Sequence, residues 1–117
     1  MRLVVLTRQA PYGSAAPREA LDTVLAAAAF DVPTTLVFDG DGAWQLVRDQ
    51  RAQAIAEKNL GSNLEALPMF DVEDLRVTRR ALEQRGLTTD ELLLPVTVVD
   101  DEDLAALLAD ADQVLSF

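Results

Sequence analysis

Carboxylates and guanidiniums are the only plentiful reactive groups in this chain, because cysteine and histidine are both absent from its 117 residues. No thiolate nucleophile, disulfide, imidazole acid–base group or Cys/His metal centre can be built from it. The remaining candidates are short clusters. Asp39-Gly40-Asp41-Gly42 places two acids among glycines, but the calcium-loop spacing D-x-[DN]-x-[DN]-G is missing, so it reads as a turn with a helix cap. Asp100-Asp101-Glu102-Asp103 is an acid run suited to the positive end of a helix. Arg76, Arg79, Arg80 and Arg85 cluster around one strand-to-helix turn. They either pair with nearby acids or hold an anion or a partner carboxylate. Neither a metal nor a cofactor is expected. The loop Arg8–Ala16 has one glycine, Gly13, and lacks both G-x-G-x-x-G and the P-loop pattern, which removes the usual phosphate cradles.

Charge narrows the partners. Twenty acids against ten bases give a net charge of −10. Nine of the bases are arginine, and Lys58 is the only lysine. From Gly86 to Phe117 there are eight acids and no base. Such a chain is a poor ligand for a phosphate backbone, so direct nucleic-acid binding is not expected, nor is binding to an anionic membrane. Its acidic end suits an arginine-bearing protein partner. No apolar run approaches the ~20 residues that span a bilayer. Leu3-Val4-Val5-Leu6 is too short for a signal peptide. A cytoplasmic location is expected.

These groups need a scaffold, and the apolar pattern supplies one. Leu3–Leu6, Thr34–Phe38, Asp74–Thr78, Leu92–Val99 and Gln113–Phe117 read as strands. Ala20, Leu21, Val24, Leu25 and Ala28 share one helical face behind Pro17. Ala43–Val47 begins a helical segment, and residues 48 to 63 read as a polar surface excursion with helical pieces. Arg79–Arg85 reads as a helix with Gly86 as its cap, and Asp100–Asp103 opens the last helix, with Leu104, Leu107 and Leu108 on its apolar side. Alternating strands and helices predict one α/β domain over residues 1–117. It should have three layers, α/β/α, with a mostly parallel sheet of about five strands. Ligands of such sheets bind at the C-terminal strand ends.

Three segments together resemble one family. They are the first strand with Ala10-Pro11-Tyr12-Gly13-Ser14 up to Asp22, then Val37-Phe38-Asp39-Gly40-Asp41-Gly42-Ala43-Trp44-Gln45-Leu46, then Val77-Thr78-Arg79-Arg80-Ala81-Leu82-Glu83-Gln84-Arg85-Gly86-Leu87. Val114-Leu115-Ser116-Phe117 agrees as well. This ordered set is similar to the DsrE/F/H-like sulfur-relay proteins, most closely the TusC-type (DsrF) branch. The resemblance implies assembly with TusB-like and TusD-like subunits as a dimer of heterotrimers, passing persulfide sulfur toward 2-thiouridine at the tRNA wobble position. The sulfur-carrying subunit of the family keeps a cysteine eight residues before the glycine of the Arg-Gly pair. Here that position is Thr78, whose hydroxyl cannot form a persulfide. It reads as a β-branched residue ending a strand, or as a vestigial site that still shapes a shared pocket. The chain is therefore expected to be a non-catalytic structural subunit, with Tyr12, Trp44, Phe70 and Phe117 as candidate interface anchors. Trp44 suits core packing equally well. The alternative is an independent small α/β enzyme or ligand-binding protein that uses Asp39 or Asp100 at its strand ends.

Overall fold

A computed structural model describes residues 1–47 and 57–117, with Glu57, Lys58 and Asn59 described in backbone only. Five strands form one sheet: β1 (Leu3–Thr7), β2 (Thr34–Phe38), β3 (Leu75–Thr78), β4 (Thr97–Val99) and β5 (Gln113–Ser116). All four pairings are parallel, in the order β4-β3-β2-β1-β5. The α-helices are α1 (Ala16–Ala29), α2 (Glu57–Glu65), α3 (Arg79–Gln84) and α4 (Asp101–Asp110). Short 3-10 helices cover Gly40–Leu46, Leu67–Phe70 and Thr89–Glu91. Most of the polar excursion read over residues 48 to 63 lies outside the described residues; its end forms most of α2.

Side-chain alternation divides the core in two. Leu3, Val5, Leu36, Phe38, Leu75 and Val77 pack with Leu21, Val24, Leu46, Leu64, Leu67 and Leu82 in the main core. Val4 and Val37 point the other way and meet Leu104, Leu107, Leu108 and Ala111, which belong to α4 and the residue after it. The reason is topological. β1 to β4 advance across the sheet in one direction, and right-handed crossovers put their connections on one face. The last crossover runs back to lay β5 beside β1, so the same handedness sends α4 to the opposite face. Among the described residues, the third layer is thus the single helix α4.

The fourth strand is shorter than its apolar run. Leu92–Pro95 lies outside β4, which begins at Thr97. Leu92 and Leu94 are nonetheless buried in the main core, from a connection that forms one antiparallel bridge to Val47. A leucine run fills a core equally well from a loop, and Pro95 cannot donate to a sheet ladder.

On the α4 face, β2 and β3 are tied by side chains. Thr35 Oγ1 donates to Asp74 Oδ2 at 2.7 Å, and Arg76 Nε donates to Asp74 Oδ1 at 2.8 Å. Burial raises the affinity of the Asp74 carboxyl for its proton. The hydrogen bonds from Arg76 and Thr35 outweigh this and hold it below the usual carboxylate range. The folded state therefore binds this proton less readily than the unfolded chain. Its contribution is present above the ordinary value of 3.8 and is lost as pH falls through the lower folded value. Replacing Asp74 with Asn should lower the urea midpoint at about pH 7, and the gap to wild type should narrow toward about pH 2. A gap unchanged across that range would contradict the ion-pair account.

Candidate functional site

The helices that follow β3 and β4, α3 and α4, lie on opposite faces of the sheet, and their first turns frame a crevice at the C-terminal strand ends. This is the place where open α/β sheets hold ligands. The crevice measures about 540 Å³ and is lined by Arg79, Arg80, Glu83, Asp100, Asp101 and Glu102. Two ion pairs cross it. Arg79 Nε lies 2.6 Å from Asp100 Oδ1, and Arg80 pairs with Asp101. Each side chain in these pairs is more than half exposed, so their net contribution to stability is small. Asp100 also opens α4 through a capping box with Asp103, which explains the acid run without a ligand.

Thr78 does not line the crevice; it immediately precedes the lining residue Arg79, as the last residue of β3 and the N-cap of α3. It is 2% exposed. Its hydroxyl donates to Asp39 Oδ1 at 2.8 Å and accepts from the Ala81 N–H at 3.3 Å. The parallel register explains the meeting. Phe38 is opposite Val77, so the next residues in each chain segment, Asp39 and Thr78, emerge side by side. Asp39 lies at the N-cap position of the 3-10 helix Gly40–Leu46, but its side chain makes no cap there.

That 3-10 helix is pressed onto the end of β1. A Cβ on Gly42 would sit 2.0 Å from the Thr7 carbonyl oxygen. Buried Gln45 donates through Nε2 to Thr7 Oγ1 and to the Gln9 carbonyl, both at 2.8 Å. Arg85 clamps the other side, with Nη2 at 2.7 Å from Asp41 Oδ1 and Nη1 donating to the Ala81 carbonyl. The turn Asp39–Gly42 is therefore a fixed structural joint. A second, smaller crevice of about 230 Å³ lies between Arg8, Gln9, Asp39, Gly40, Ser116 and Phe117.

All four clustered arginines are paired with aspartates: Arg76 with Asp74, Arg79 with Asp100, Arg80 with Asp101 and Arg85 with Asp41. Among the described residues, no three acids converge into a group able to hold a metal ion. No described helix is long and apolar enough to cross a membrane.

The four anchor candidates do not share one surface. Tyr12 is half exposed in the loop after β1, at the C-terminal strand ends. Trp44 is partly buried in the 3-10 helix, and Phe117 packs partly buried against the main core. Phe70 is exposed at the opposite, N-terminal end of the sheet, just before β3. Sequence reasoning passed over Phe30, which is 82% exposed at the end of α1. It also missed Asp39 as the partner of Thr78, since the two are 39 residues apart and only the register joins them.

Fold and site together define an all-parallel α/β domain whose strand-end crevice is bridged by ion pairs, next to a buried threonine that caps α3. The chain matches the DsrE/DsrF-like family over residues 1–117, and it belongs to that family. It is 46% identical over 114 residues to the protein TusC homolog of Pseudomonas aeruginosa, covering 97% of this chain and 96% of that one. The TusC homolog of Vibrio vulnificus is 37% identical, covering 99% and 98%. The intracellular sulfur oxidation protein DsrF of Allochromatium vinosum is 35% identical, covering 99% and 96%. Among solved structures, the ychN protein of E. coli superposes with a TM-score of 0.85 at 24% identity, covering 100% and 99%, which supports the fold.

Proposed function

We propose that this chain is a non-catalytic structural subunit of a TusBCD-like sulfur-relay complex that supports persulfide transfer for tRNA wobble 2-thiouridine synthesis in the cytoplasm. The observation that carries the reading is Thr78. It stands where sulfur carriers of the family keep their thiol, and its hydroxyl is committed to capping α3 and to Asp39. A chain with no cysteine can hold no persulfide of its own. Its contribution is then to assemble and orient a thiol-bearing partner. Similarity to proteins named TusC homolog and DsrF supports membership of such a complex.

The rival, a free-standing enzyme using Asp39 or Asp100, is disfavoured by the same geometry. Asp39 is engaged by Thr78, and Asp100 by Arg79. Co-expression with TusB-like and TusD-like subunits from the same genome, followed by native mass spectrometry, tests the proposal. The expected species contains all three chains in a dimer of heterotrimers. Recovery of this chain apart from both partners would overturn it.

A further inference from the structure

The tripeptide Phe-Asp-Val occurs twice, at 30–32 and 70–72, and the fold brings the two copies together. Each ends a helical segment just before a strand: Phe30 ends α1 ahead of β2, and Phe70 ends the 3-10 helix Leu67–Phe70 ahead of β3. β2 and β3 are hydrogen-bonded neighbours, so the two turns lie side by side at the N-terminal edge of the sheet. Their hydrogen bonds correspond. Asp31 N–H reaches the Ala28 carbonyl and Val32 N–H the Ala27 carbonyl; Asp71 N–H reaches Pro68 and Val72 N–H reaches Leu67. Both are helix-ending turns of the Schellman kind, with the left-handed residue at φ 57° for Asp31 and 65° for Asp71.

Glycine fits such a position with less strain than aspartate. Yet both turns carry a carboxylate, and neither carboxylate makes a hydrogen bond or ion pair among the described residues. The two aspartates line one cleft of about 220 Å³ with Ala28, Val32, Pro33, Thr34 and Val72. Beside the cleft, Phe30 is 82%, Met69 85% and Phe70 57% exposed. Aromatic rings and methionine left in water are what protein interfaces bury at their centres. Among the described residues, none buries these three side chains.

We propose that these paired turns form a docking surface for a partner protein that presents an apolar socket flanked by lysine or arginine. Charge selects this occupant. The segments that form the two turns, residues 19 to 47 and 59 to 75, hold no lysine or arginine, and Asp31, Asp71 and Glu73 are exposed at this edge, so that acids outnumber Arg2, which precedes neighbouring β1 and lies in the field of Asp74. A second copy would set acid against acid, so self-association is disfavoured. The inference rests on the subunit reading above and adds to it the place of attachment.

The test uses the full chain with its two relay partners, in three forms: wild type, Phe30→Ser/Phe70→Ser, and Asp31→Asn/Asp71→Asn. Asparagine tolerates the left-handed backbone, and the phenylalanines are exposed, so circular dichroism should match wild type for both variants. The phenylalanine variant should weaken assembly about 100-fold or more, as loss of central aromatic anchors does. The asparagine variant should weaken it about tenfold and flatten its dependence on salt. Folded variants that assemble as wild type does would overturn the docking surface alone. A wild-type chain that joins neither partner would overturn both this inference and the subunit reading.

Discussion

Gly42→Ala lowers the folding stability by about 3 kcal/mol or more, the upper range for overpacking a site that cannot relax. The added methyl would lie 2.0 Å from the Thr7 carbonyl oxygen and within 3.4 Å of the Arg8 Cα. Backbone, not a flexible side-chain tip, is what it meets. The 3-10 helix Gly40–Leu46 would have to lift away from β1. Lifting it would stretch the hydrogen bonds of Gln45 to Thr7 and Gln9 and the Arg85–Asp41 clamp together. Chemical denaturation should show the loss as a lower midpoint. A midpoint equal to wild type would mean that the close approach at Gly42 does not hold the joint. The same substitution at Gly61, where the nearest atom is a Leu93 side-chain carbon at 3.8 Å, meets no such obstacle.

Thr78→Cys introduces the only thiol in the chain, and that thiol stays at least about 100-fold less reactive toward a disulfide reagent than the same cysteine in the unfolded chain. Two effects act in one direction. The position is 2% exposed, and burial disfavours a thiolate. The Asp39 carboxylate, 2.8 Å from the present hydroxyl oxygen, disfavours a second negative charge. The N-terminus of α3 opposes them, but that helix has six residues and a correspondingly weak field. Adding Asp39→Asn should therefore raise reactivity about tenfold, the equivalent of about one pKa unit. A single-cysteine variant as reactive as an exposed thiol would show that the pocket around position 78 is open and that Asp39 does not guard it.

The sequence made β1 and β2 legible because both are unbroken apolar runs, as a strand buried on two faces must be. It made α3 legible through the bounds set by Thr78 and Gly86. It misled over Leu92–Pro95, because burial alone does not separate a core-filling loop from a strand. It carried Phe-Asp-Val twice in plain view. Repetition acquired a meaning only when both aspartates proved left-handed and both turns proved adjacent. Thr78 could be located by counting back from Gly86, but its partner could not. The bond to Asp39 is created by the pairing of β2 with β3, which no local pattern encodes. The arginine cluster was visible as a cluster, while its pairing with Asp41, Asp74, Asp100 and Asp101 required the strand order.

We propose that this chain, though it lacks a thiol, governs the handling of sulfur by its partners. The most direct measurement is transfer of radiolabelled sulfur from a persulfide donor to the reconstituted partner subunits, with and without this chain. Label is expected on the partner's cysteine and none on this chain, with a marked drop in transfer when this chain is left out. Transfer at the same rate and to the same extent in its absence would mean that this chain has no part in the relay.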